Sequence, residues 1–250
     1  MKKFLLFVLC LAVALTLGIM ASAETVYVAD GGSGDGSSAE SPCGTLASAV
    51  TKLGGAGGTV VLAGDTTVAS STTLPEQSGD LRLCAQESAR LVLAADLAFA
   101  KNTNANLITV DCPITVTPVA GVALFGGFNS ILFTDAVTVS GNLDFFGGLA
   151  TVAIEQTERQ TDSSAKNLAV STELPYAITV NGGAFRTFAG GNRRALDNAW
   201  LGSIAAPLTV TVNGGTFGGS VSYTANSAIK MKTLSRFRAC RSSATTLRSS

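Results

Sequence analysis

Two octapeptides, Ile178-Thr-Val-Asn-Gly-Gly-Ala-Phe185 and Val210-Thr-Val-Asn-Gly-Gly-Thr-Phe217, constrain the fold of this chain more than any other feature. Each joins an alternating β-branched triplet to an Asn-Gly-Gly corner and a following Phe, and the copies lie 32 positions apart. Asn tolerates the left-handed backbone that a corner requires. Laying one copy over the other aligns Asn181 with Asn213 and Phe185 with Phe217, so that side-chain amides can bond along a common axis. Phe125-Gly-Gly-Phe128 and Phe146-Gly-Gly-Leu149 are weaker echoes. The period is longer than a bare circuit of strands, which predicts a loop between the copies, Gly190 to Trp200.

Between these features the chain is a series of short apolar segments separated by Gly, Asn, Asp and Pro. The strand candidates are Leu81 to Cys84, Arg90 to Leu93, Leu107 to Val110, Ile114 to Thr117, Val122 to Phe125, Ile131 to Phe133, Ala136 to Val139, Leu143 to Phe146 and Ala150 to Ile154. Such lengths suit circuits of roughly 20 to 25 residues, each giving two or three strands to separate parallel sheets. A β-sandwich would show longer alternating strands joined by tight hairpins. Glu155 to Glu173 is polar and Gly-free and is expected to leave the stack as a surface loop or a substrate-facing wall.

The stretch from Thr25 to Val68 gives this pattern a beginning. Val26 and Val28 mark a strand, and the Gly/Ser/Asp run from Asp30 to Ser41 reads as a surface loop. From Pro42 to Leu53, Leu46, Ala49, Val50 and Leu53 share one helix face, with Thr45 as N-cap. Gly54 to Gly58 stops the helix, Thr59 to Leu62 is a strand, and another begins at the Gly64-Asp65 turn. In this order, Val26, Val28, Gly32, Gly34, Asp35 and Gly36, then Pro42, Thr45, Leu46, Ala49 and Val50, then Gly58, Thr59, Val60, Leu62 and Gly64 resemble the opening of the pectin-lyase-like right-handed parallel β-helix proteins. The resemblance implies an all-β, right-handed single-stranded parallel β-helix, a solenoid with a short N-terminal capping helix. It implies no activity, because that superfamily includes lyases, hydrolases, adhesins and tail spikes.

Residues 1–23 read as an export signal, with Lys2 and Lys3 before an apolar core and Ala21-Ser22-Ala23 as the cleavage site. The mature chain is expected to start at Glu24 and to be secreted or held at a bacterial cell surface. The apolar run is shorter than the ~20 residues of a spanning helix, and Cys10 lacks the small preceding residue of a lipoprotein. Residues 24–222 are assigned to the β-helix and 223–250 to a basic, disordered tail. A rival reading of the tail is a lost reading frame near Tyr223, which would make the chain a truncated, non-functional fragment.

All 17 acidic residues lie between Glu24 and Asp197, whereas six of the 17 basic ones crowd the last two dozen positions. The acidic body argues against nucleic acid, which needs a basic footprint. There is no histidine, which removes Ser-His-Asp and Cys-His nucleophile systems and His-containing zinc sites. The Asp cluster and His of the pectin hydrolases resembling this fold have no counterpart. What survives as catalysis is a Ca²⁺-assisted pectate-type lyase with Arg as base, for which Asp111, Asp135 and Asp144 are metal candidates and Arg159, Arg186, Arg193 or Arg194 base candidates. Asp30 and Asp35 could also face Ca²⁺, though without the alternating carboxylates of a dedicated calcium loop.

Trp200 either stacks on a sugar ring or anchors its loop, and is the one ligand-contact candidate. Cys43, Cys84, Cys112 and Cys240 either form bridges or pack as core thiols, none of them a nucleophile. The expectation is therefore a monomeric, exported, non-catalytic protein for adhesion or polysaccharide contact, with no catalytic residue, metal site or required cofactor.

Overall fold

The computed structural model describes residues 24–149, 174–191, 208–218, 221–222 and 227–231. After β1 (Glu24–Val28) and the helix α1 (Leu46–Lys52), the chain repeats a three-strand circuit. The first circuit is β2 (Gly58–Leu62), β3 (Thr66–Val68) and β4 (Thr72–Leu74); the second is β5 (Leu81–Ala85), β6 (Leu91–Leu93) and β7 (Leu97–Phe99). Next come β8 (Leu107–Asp111), β9 (Ile114–Val116) and β10 (Val122–Phe125), then β11 (Ser130–Phe133), β12 (Val139–Ser140) and β13 (Leu143–Phe146). β14 (Tyr176–Val180), β15 (Ala184–Phe185) and β16 (Thr187–Ala189) precede β17 (Leu208–Val212), β18 (Thr216–Phe217), β19 (Val221–Ser222) and β20 (Ser227–Met231).

Every strand pairing is parallel and joins one circuit to the next. The first strands of the circuits, with β1 and β20, build an eight-stranded sheet; the third strands build a six-stranded one; β3, β6, β9 and β12 build a four-stranded one. β15 and β18 pair separately. Stacked parallel sheets of this kind are consistent with the expected β-helix, and they replace the hairpins that a sandwich would need. Val60, Leu83, Val110, Phe133, Val180 and Val212 stand in one register column of the large sheet. β20 extends that sheet within the segment that composition assigns to the tail.

The expected strands from Leu81 to Phe146 are present, with one shift. Val137 turns inward, its N–H donating to the Thr134 carbonyl, so the strand expected at Ala136 to Val139 becomes β12. β4, β7 and β16 were too short and too mixed to stand out. Residues 1–23, Ala150 to Ile154, Glu155 to Glu173 and most of Gly190 to Trp200 lie outside the described residues. Among the described residues no helix is long and apolar enough to cross a membrane.

α1 begins where the sequence places its cap: Thr45 is extended and its hydroxyl oxygen accepts from Ser48 N at 3.1 Å. Leu46, Ala49 and Val50 are buried, and the helix packs against β1, β3 and β4. The Asp30 to Ser41 run is more than the surface loop expected from its composition. With Cys43 just after it, the run folds back along the free edge of β1, where Tyr27 N donates to Gly36 O, Cys43 N to Tyr27 O, and Ala29 N to Cys43 O. An open strand edge is a template for aggregation, and this loop covers it. Its glycines permit that approach: a Cβ at Gly34 would stand 2.4 Å from Ser41 O, and one at Gly36 2.7 Å from Val26 Cγ1.

Inside the stack, aliphatic rungs give way to aromatic ones toward the later circuits. Phe133, Phe145, Phe185 and Phe188 are buried and meet ring to ring at 5.1–6.3 Å. The octapeptides stack as their sequences predict: Ile178 pairs with Val210, Asn213 Nδ2 donates to Asn181 Oδ1 at 2.9 Å, and the Phe185 and Phe217 rings lie 5.7 Å apart. The echoes stack as well, with Phe125 over Phe146 at 5.4 Å. Those two, with Ala98, Ala123 and Ala189, form a separate apolar cluster on the outer side of the six-stranded sheet.

Phe185→Ala should lower unfolding free energy by about 3–5 kcal/mol, as for other buried Phe truncations, measured by urea denaturation. Gly31 and Gly36 share a left-handed backbone (φ +75 and +80), but nothing lies within 4 Å of a Cβ at Gly31. Gly31→Ala should therefore cost only the ~1–2 kcal/mol of that conformation. Gly36→Ala should cost clearly more and promote self-association, read by unfolding and by light scattering.

Candidate functional site

The aspartate candidates fall on outward positions of two sheets and a turn. Asp111 ends β8 on the outer face of the eight-stranded sheet, Asp144 lies on the outer face of β13, and Asp135 sits exposed in the turn after β11. The fold therefore does not gather the three carboxylates, and no group of three or more potential metal ligands occurs among the described residues.

Two of these carboxylates are bound to arginines one circuit away. Asp111 accepts from the Arg82 guanidinium and, at 2.6 Å, from the Thr134 hydroxyl. Asp144 accepts from Arg186, whose Nε lies at 2.9 Å and whose Nη1 donates to Ala120 O at 2.5 Å. A third pair, Arg90 with Asp65 at 3.1 Å, joins the corners before β6 and β3. Burial pushes the Asp111 carboxyl up, but the Thr134 hydroxyl and Arg82 outweigh it and hold the group below its usual range. The same hydrogen bonds push Arg82 and Arg186 further up. An arginine so held is a poor proton acceptor, which counts against Arg186 as a lyase base. Arg159, Arg193, Arg194 and Trp200 lie outside the described residues.

The loop aspartates are engaged locally. Asp30 accepts from Thr67 N at 2.8 Å and from its hydroxyl at 2.5 Å, tying the loop to β3. Asp35 accepts from the hydroxyl and N–H of Ser37, which hold its carboxyl below the usual range. Cys43, Cys84 and Cys112 are free thiols. Burial raises Cys84 and pushes Cys112 up to about 12, the reverse of what a nucleophile needs. Cys240 lies outside the described residues.

A different arrangement does repeat along the stack. Thr59, Thr109, Thr179 and Thr211 occupy one outward column of the eight-stranded sheet, interrupted by Arg82 and Leu132. Asn181 and Asn213 lie beside it. The column sets hydroxyls on a rigid lattice with about 4.8 Å between strands. The Arg82–Asp111 and Asp65–Arg90 pairs escaped the sequence reading, although opposite charges 29 and 25 positions apart, near one circuit, were the signal for them. Comparison of the chain with protein-family models, curated proteins and solved structures finds no match.

The pH dependence follows from Asp111. A carboxyl held low in the folded state stabilises above its unfolded pKa of about 3.9, and that contribution is lost as pH falls through the lower folded value. Wild-type stability should therefore decline below about pH 4. Asp111→Asn should be less stable at pH 7 and decline less steeply in acid, measured by urea midpoints across pH.

Proposed function

We propose that this chain is an exported right-handed parallel β-helix protein that holds polysaccharide at a cell surface without cleaving it. The observation that carries the reading is the outward Thr column with its Asn pair. Hydroxyls set one or two strand spacings apart, with Arg82 and Leu132 between them, suit a polymer that presents hydroxyls at its own repeat. The charged groups support binding rather than catalysis, because Arg82 within the column is engaged with Asp111, and Arg186, beside the six-stranded sheet, with Asp144. The row is held on hydrogen-bonded strands, so little ordering entropy opposes the contact. The resemblance of the Thr25 to Val68 stretch to the pectin-lyase-like proteins supports the same architecture, and residues 1–23 support export.

Affinity electrophoresis of the purified chain through gels containing neutral and uronate polysaccharides provides the test. Retardation by at least one polymer is expected, insensitive to chelator and reduced at least several-fold by Thr179→Arg and Thr211→Arg with the unfolding midpoint unchanged. Incubation with pectate and Ca²⁺ should release no unsaturated uronide. Release of that product, or free migration through every gel, would sink the proposal.

A further inference from the structure

The corner between the six-stranded and eight-stranded sheets buries polar side chains whose bonding is incomplete. Gln77, Asn106 and Asn129 occupy this corner on three successive circuits, ahead of β5, β8 and β11, and are 7%, 7% and 5% exposed. They line a small, partly open pocket of about 20 Å³, together with Glu76, Phe99, Lys101 and Ile108. Gln77 is satisfied: its Oε1 accepts from Gly57 N at 3.2 Å and its Nε2 donates to Glu76 O at 2.8 Å. Asn129 uses its amide nitrogen twice, toward Ala100 O at 3.0 Å and Gly126 O at 2.8 Å. Asn106 donates one amide hydrogen to Gln77 O.

Three hydrogen-bonding positions on these side chains then have no partner among the described residues: Oδ1 of Asn106, Oδ1 of Asn129 and the second amide hydrogen of Asn106. Leaving such groups unmet in a buried site costs them the hydrogen bonds they would make to water in the unfolded chain. The set amounts to two acceptors and one donor, which complements a molecule offering two donors and one acceptor. A cavity needs about 10–15 Å³ to hold a water, so this one has room for one and not for two. A metal cation or an ammonium group, such as that of Lys101 in the pocket wall, could meet the two oxygens but could accept nothing from the Asn106 amide.

We propose that this corner binds one internal water, which donates to Oδ1 of Asn106 and Oδ1 of Asn129 and accepts the second amide hydrogen of Asn106. The water completes the polar connection between the circuits that begin with β8 and β11, and with it the corner becomes fully hydrogen-bonded.

A crystal structure of the mature chain at a resolution that shows ordered solvent tests this directly. One peak is expected within about 2.7–3.2 Å of both amide oxygens. In solution, the Asn106 and Asn129 side-chain amide protons should show cross-relaxation to a long-lived water, and Asn106→Leu should abolish it. An empty cavity, no such cross-relaxation in the wild type, or a peak that refines as a cation with four or more oxygen ligands would overturn the assignment.

Discussion

Among the described residues, every strand takes its hydrogen-bond partner from the circuit before or after it, in parallel register. That constraint governs most of what else is seen. Because side chains alternate across a strand, a one-residue slip would turn every core residue of a circuit outward. The columns therefore have to agree from one circuit to the next. They do: the column through Val60, Leu83, Val110, Phe133, Val180 and Val212 is apolar throughout. Exposed ion pairs contribute little stability individually. Those seen here each join neighbouring circuits, so they favour one register over its alternatives.

What could be read from the sequence follows the same logic. The octapeptides were legible because a repeated Asn-Gly-Gly corner has few conformational solutions, and the stacked Asn and Phe pairs follow from it. α1 was legible from the spacing of Leu46, Ala49 and Val50 and from the Thr45 cap, both of which are local signals. β4, β7 and β16 were not, since three residues held in place by neighbours one circuit away leave no periodicity of their own. The edge-covering role of the Gly-rich loop was hidden for a related reason. Alternating glycines read as flexibility until the backbone they lie against is known.

The candidate site was less legible than the fold. Asp111, Asp144 and Arg186 were singled out because their side chains can perform chemistry, but sequence alone does not say what an arginine one circuit away already holds. The outward Thr column was overlooked because its members are about a circuit apart or more, and because Thr in a strand is ordinary. A contact surface built from aligned, unremarkable residues becomes apparent only when the register is known.

The loop folded along β1 also gives the stack a direction. With that edge occupied by the chain's own backbone, a further repeat unit cannot be joined ahead of β1 without displacing the loop and the helix that follows it. Lengthening of such a protein by duplication of its repeat would have to occur after β1, where a new circuit meets a matching column.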